Sequence, residues 1–171
     1  MRKLLTIITA LLICLAQSAA QPPANNEKEY QEWYAWRIRQ ETIAGVYIPK
    51  DLADAFIQLN KLTDESSRAK LKIVDEREAA KKLFFSLGRW MTVNWAFYEG
   101  SRFSEYLRKL GIFHPDDMAR FVIITYHRNL NRKSLQVKEL VLEFQEMRAE
   151  EQKKRLEKGT ILHEEKRKKQ D

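Results

Sequence analysis

Three stretches of this chain carry side chains that can do chemistry. Gly111 to Met118 reads G-I-F-H-P-D-D-M and places His114 two residues before the carboxylates Asp116 and Asp117. Tyr126 and His127 follow in Y-H-R, and Arg102 precedes them in G-S-R. An imidazole beside carboxylates suits general acid–base work or metal ligation, and a fixed guanidinium suits an anionic group. Spacing weakens the metal reading. Asp116 and His127 are eleven positions apart, about 16 Å of rise on one continuous helix, so one ion cannot bind both. A site on His114 and Asp116 needs ligands that the sequence does not name. No nucleophile elbow, P-loop, dinucleotide fingerprint or zinc motif accompanies them. No catalytic residue, metal ligand or cofactor is therefore assigned.

Each candidate also has an architectural reading. Pro115 suits the first position of a helix, with Asp116 and Asp117 answering its positive end. Arg102, if buried, needs an acceptor. Asp116 or Asp117 is the expected one, clamping two helix starts; otherwise Arg102 faces a pocket and receives an anion. Asn94 lies on an apolar stripe, where a buried amide satisfies either a turn backbone or a ligand. Trp90 and Trp95 are either core aromatics or a stacking surface for a sugar or a partner's side chain. Tyr126 and His127 are either a hydrogen-bonded, half-buried pair or catalytic. Together Trp90, Asn94, Trp95, Arg102, His114, Asp116, Asp117, Tyr126 and His127 form the candidate binding surface.

The elements that must position them are helical. Five Gly and four Pro in 171 residues, among many Ala, Leu, Glu, Lys and Arg, predict an all-α protein. Glu27 to Thr42 reads as a first helix bearing Trp33 and Trp36, which cannot both face the same way; one is an exposed anchor. Gly45 breaks the chain, and Val46 to Ile48 is extended before Pro49. Asp51 caps a helix with Leu52, Phe56, Leu59 and Leu62 on one face. Thr63 or Asp64 caps another to about Val74. Ala80, Leu83, Phe84, Leu87, Met91, Trp95 and Tyr98 make one long stripe, with Trp90, Val93 and Phe97 on a second. A helix apolar on two sides is central, and Gly88 within it implies close approach by a neighbour. Ser101 or Ser104 opens a short helix that Gly111 ends in a left-handed conformation. The next helix buries Met118, Phe121, Val122, Thr125 and Tyr126. Ser134 caps the last, with Val137, Leu140, Val141, Phe144 and Met147 inward.

The ends have other roles. Arg2, Lys3, the apolar run Leu4 to Leu15 and the small residues Ser18-Ala19-Ala20 read as a signal peptide cleaved after Ala20. The run is too short to span a bilayer. Cys14, the lone cysteine, follows bulky Ile13, against a lipidation site, and leaves with the signal. The mature chain then has no disulfide and no thiol chemistry. Its formal charge falls from +7 to +5 once Arg2 and Lys3 are removed. Much of that surplus lies after Met147, where residues 148–171 extend as a charged helix or tail. Export makes nucleic acid an improbable partner despite the basic balance. The organisation is a signal peptide over 1–20, an aromatic helical segment over 21–45, a helical core over 46–133, and a C-terminal helix with charged tail over 134–171.

Five ordered motifs carry a resemblance. They are I-P-K-D-L-A-D-A-F from Ile48, L-G-R-W-M-T-V-N-W from Leu87, G-S-R-F-S-E-Y from Gly100, G-I-F-H-P-D-D-M from Gly111 and Y-H-R-N-L-N from Tyr126. This run of motifs resembles an uncharacterised bacterial family of small exported proteins, a domain of unknown function numbered 6794. The likeness spans roughly Val46 to Asn131. The charged segment after it and the aromatic segment before it depart from the family pattern. The resemblance implies a domain boundary and no reaction.

The function expected from the residues is a non-catalytic binding or protein-interaction module of the bacterial envelope, periplasmic or extracellular. Its partner is a protein or envelope component, and no transmembrane segment remains after signal cleavage. The competing expectation is a small hydrolase or metal-dependent enzyme using a His/Asp/Arg cluster. A third attaches the basic tail to an anionic envelope surface.

Overall fold

A computed structural model describes residues 26–157. The expected signal peptide and residues 158–171 of the tail lie outside the described residues. The architecture is all-α apart from one small hairpin. In order the elements are α1 (Glu27–Arg37), β1 (Thr42–Ile43), β2 (Val46–Tyr47), α2 (Leu52–Leu62), α3 (Glu65–Ile73), α4 (Glu76–Leu83), a π-helical turn (Phe84–Gly88), α5 (Arg89–Asn94), α6 (Arg102–Leu110), α7 (Pro115–Leu130) and α8 (Val137–Glu157). Among the described residues no helix is long and apolar enough to cross a membrane.

Local chemistry sets most helix starts. Asp51 accepts from the Asp54 backbone N–H, Asp64 from that of Ser67, and Asp75 from those of Arg77 and Glu78. Each satisfies a donor that has no partner inside the helix. Ser101 and Ser104 exchange bonds in a capping box, and Gly111 closes α6 at φ +105°. Pro115 opens α7, with the His114 ring accepting from the Asp116 N–H at 3.2 Å.

The central element is α7, not the 80–98 segment. Its residues Met118, Phe121, Val122, Ile123 and Tyr126 are fully buried, and even Asp117, His127 and Arg128 lie inside. It packs against α2, α3, α4, the π-helical turn, α5, α6 and α8. The 80–98 stripe is broken twice. The π-helical turn adds a residue to the register at Phe84–Gly88, and the helix ends at Asn94. Ala96 then turns back at φ +50°. That reversal puts Trp95 and Phe97 inside and leaves Val93 and Tyr98 exposed. The two buried rings form a cluster with Phe103, whose ring stands edge-on to Trp95 at 5.3 Å. Gly88 faces α7, but a Cβ there would lie 3.5 Å from Ile123, an ordinary van der Waals contact, so the approach does not by itself demand glycine.

Other expectations are corrected in detail. The first helix stops at Arg37, and β1 pairs antiparallel with β2. Ala44 and Gly45 join the strands with φ +49° and +77°, the backbone of a two-residue hairpin turn. Leu62 and Met147 are exposed rather than inward. Ser134 does not cap α8; Gln136, at φ +47°, precedes it and its carbonyl receives the Leu140 N–H. Only Leu140, Val141 and Phe144 of α8 are buried, and Ala149 to Glu157 is exposed helix. Trp36 is the exposed one of the aromatic pair, while Trp33 lies under the Arg37 guanidinium.

Candidate functional site

The nine candidate residues do not assemble into one site. Arg102 belongs to the hairpin. Its Nε donates to the Ile48 carbonyl at 2.7 Å, its Nη1 reaches Glu41 at 3.2 Å, and its plane lies over the Tyr47 ring. The expected clamp between Arg102 and Asp116 or Asp117 is not formed. The residues are held by different elements, and Asp117 has other partners. Its carboxylate, almost fully buried, receives both Nε and Nη2 of Arg148, the latter at 2.9 Å, and a longer bond from Arg120. This is a two-pronged charge-assisted contact, and it fastens α8 to the start of α7. Asp116 is separate: it accepts from the exposed Tyr98 hydroxyl at 3.1 Å.

Tyr126 and His127 are each bonded into the core and not to one another. The Tyr126 hydroxyl donates to Asn60 at 2.9 Å and lies 3.2 Å from the Thr63 hydroxyl. Burial pushes its phenol up. His127 Nε2 sits 2.9 Å from the Val74 carbonyl. A carbonyl only accepts, so Nε2 carries the proton. The buried Nδ1 is left without a partner, as is Nη2 of Arg102, among the described residues. Trp95 is core, Asn94 donates to the Trp90 carbonyl within its own helix, and Trp90 is half-buried against Trp95. Among the described residues no three His, Cys, Asp or Glu side chains come together as metal ligands.

Among the described residues, three hollows bear on these side chains or stand beside them. His114 and Asp117 border a hollow of about 400 Å³ against Phe144 and Arg148 of α8. His127 borders one of about 600 Å³ whose lining includes the charged Lys72, Asp75, Glu76, Arg77 and Arg128. There Arg128 grips Glu76 through two bonds of 2.6 and 2.9 Å and donates to the Leu135 carbonyl. That pairing holds the Glu76 carboxyl below its ordinary range. The third hollow differs in chemistry. It is an open cleft of about 680 Å³ between the α2–α3 corner and the α4–α5 strip. Leu71, Val74, Leu83, Leu87 and Trp90 are half-buried along it. Its polar lining is Thr63, Ser67, Arg68, Lys70, Lys82 and Ser86, of which all but Thr63 and Arg68 are exposed.

The cleft follows from how α3 is built. Its sequence E-S-S-R-A-K-L-K-I has too few apolar residues to bury a face, and none of its residues is fully buried. α3 therefore packs on α7 without filling the space beside Leu83 and Leu87. Of the candidates read from sequence only Trp90 lines the cleft. Leu83 and Leu87 read as ordinary core positions, and nothing in the sequence marks Leu71. The available signal was the sparse apolar pattern of α3, beside a helix with more apolar residues than α3 can cover.

Residues 48–130 match a family model described as Domain of unknown function (DUF6794). They are a DUF6794 domain. No curated protein and no solved structure matches the chain. The whole cleft, from Leu62 to Trp90, lies within the DUF6794 domain, as does all of α7. α1 and α8 lie outside it; α8 inserts Leu140, Val141 and Phe144 into the core, and both helices add polar contacts. Arg37 donates to the Gly100 carbonyl at 2.9 Å, and the Tyr34 hydroxyl donates to Glu105 at 2.6 Å while accepting from Arg108 at 2.8 Å. Burial, then the bond to Glu105, pushes the Tyr34 phenol up to about 12. On the other side Arg148 reaches the DUF6794 domain at Asp117.

Proposed function

We propose that the protein is an exported, non-catalytic binding module whose contact surface is the apolar cleft between α2–α3 and α4–α5. One observation carries this reading: a cleft of about 680 Å³ is lined by the half-buried apolar side chains Leu71, Val74, Leu83, Leu87 and Trp90, while Ser67, Lys70, Lys82 and Ser86 along it are exposed. That volume falls in the range of roughly 300–1,000 Å³ typical of small-molecule sites, which are mostly apolar with a few oriented polar groups. The residues able to do chemistry support the same reading. Asp117, His127 and Arg102 each hold a structural contact in a different place. The envelope location rests on the signal-like start of the sequence.

A neutral, environment-sensitive dye such as N-phenyl-1-naphthylamine tests the surface without presuming a charged ligand. The protein is expected to bind it saturably with a blue-shifted emission. Ser86→Trp, which fills the cleft edge from an exposed position, and Leu87→Asp should both abolish binding, with folding checked by circular dichroism. Arg102→Ala and His114→Ala should leave it unchanged. Full binding by folded Ser86→Trp and Leu87→Asp variants would overturn the proposal.

A further inference from the structure

We infer that the cleft takes a free single-chain anionic amphiphile of the fatty-acid type, its alkyl chain on Leu71, Leu83, Leu87 and Trp90 and its carboxylate at Lys70 and Lys82. The inference rests on the reading that the cleft is the contact surface. Charge complementarity carries the choice. The residues lining the cleft include three cations, Arg68, Lys70 and Lys82, and no acid. Arg68 is committed: its Nη1 donates to the backbone carbonyls of Asn60 and Thr63 at the end of α2. Lys82 pairs with Glu78, but both side chains are more than half exposed, and such a surface pair is worth little and exchanges readily. Lys70 has no ion-pair partner among the described residues, so it and Lys82 are the two ammonium groups able to meet a ligand.

Head and chain therefore have distinct places. A cationic head meets like charge at the edge. An uncharged alcohol has the floor but leaves the cations unanswered. The size of the cleft suits one chain better than a broad protein surface. A stable protein interface needs about 800 Å² from each partner, and the neighbours in sequence of the lining residues, Lys72, Glu78 and Lys81, are charged and exposed.

The experiment measures displacement of the neutral dye by octanoate, decanoate and dodecanoate, each below its micelle concentration, with decanol and decyltrimethylammonium alongside. Affinity is expected to rise by up to about fourfold per methylene until the cleft is full. Decanoate should bind several-fold more tightly than decanol, and decyltrimethylammonium more weakly than either. Lys70→Glu/Lys82→Glu should reverse the order of decanoate and decyltrimethylammonium while keeping dye affinity. Both lysines are exposed, so the doubly substituted protein keeps its core. Dye binding that no carboxylate displaces, or equal affinity for all three ten-carbon compounds, overturns the inference and leaves the cleft reading standing. Absence of dye binding removes the cleft reading itself. Sedimentation with phosphatidylglycerol vesicles, without displacement by decanoate, would overturn the assignment to a free ligand in favour of a membrane lipid.

Discussion

Gly100→Ala should be among the most damaging single substitutions outside the core. Gly100 sits at φ +93°, and a Cβ there would lie 2.6 Å from Cδ2 of Tyr34 and closer still to Cε2. The backbone conformation alone costs a non-glycine residue about 1–2 kcal/mol. The larger cost is the ring. Tyr34 is not a free side-chain end, because its hydroxyl is held between Glu105 and Arg108 and the Arg108 guanidinium lies over its ring. Moving it breaks two charge-assisted bonds, each worth about 1 kcal/mol once their partial exposure is discounted. The sum is about 3–4 kcal/mol. Gly45→Ala is the control: φ is +77° but nothing lies within 4 Å of the added Cβ, so it should cost only about 1 kcal/mol. Urea unfolding followed by circular dichroism reads both. In a Tyr34→Ala background the ring is gone, and Gly100→Ala should fall to the cost of its control. Equal losses at Gly45 and Gly100, or no coupling between Gly100 and Tyr34, would refute the packing of α1 against the Gly100 turn.

Tyr34 should also be among the last phenols to ionise. Its folded pKa lies near 12 against an ordinary 10.0, so the stability it contributes is complete below pH 10 and is lost as pH rises towards 12. Absorbance titration of wild type and Tyr34→Phe checks this. Glu76→Gln should cost about 2–3 kcal/mol, because it leaves the Arg128 guanidinium, mostly buried, without its counter-charge. The Glu76 carboxyl is held below its ordinary 4.5 by Arg128. Its contribution is therefore present above that pH and lost as pH falls through the folded value, and Glu76→Gln should flatten the acid limb of the stability curve. Asp117→Asn should loosen α8 from α7 at a cost of about 2 kcal/mol, read as faster tryptic cleavage within Val137–Glu157 while α7 stays protected from hydrogen exchange.

Features settled by neighbours in sequence were legible. Asp51, Asp64, Ser101, Gly111 and Pro115 act within one turn of the backbone, and each stands where its chemistry placed it. The 80–98 stripe holds at Met91 and Trp95, both buried beyond the π-helical turn, and fails at its end, where the reversal at Ala96 swaps Tyr98 for Phe97. The hairpin was hidden by its size, two residues on each side. Arg102 was correctly read as a cation needing an acceptor, but the acceptor is a backbone carbonyl at Ile48, and any residue can supply one. The cleft had least signal of all. It is bounded by side chains from α2 to α5, of which Leu83 and Leu87 read alone as core.

The account turns on whether the cleft is the surface that binds. Backbone and methyl NMR spectra of the protein, recorded while the neutral naphthylamine dye is added, test this most directly. Shift changes confined to residues 62–90, largest at Leu71, Leu83, Leu87 and the Trp90 indole, are expected. Changes centred on His114 and Arg148, or on His127 and Arg128, or none at saturating dye, would contradict it.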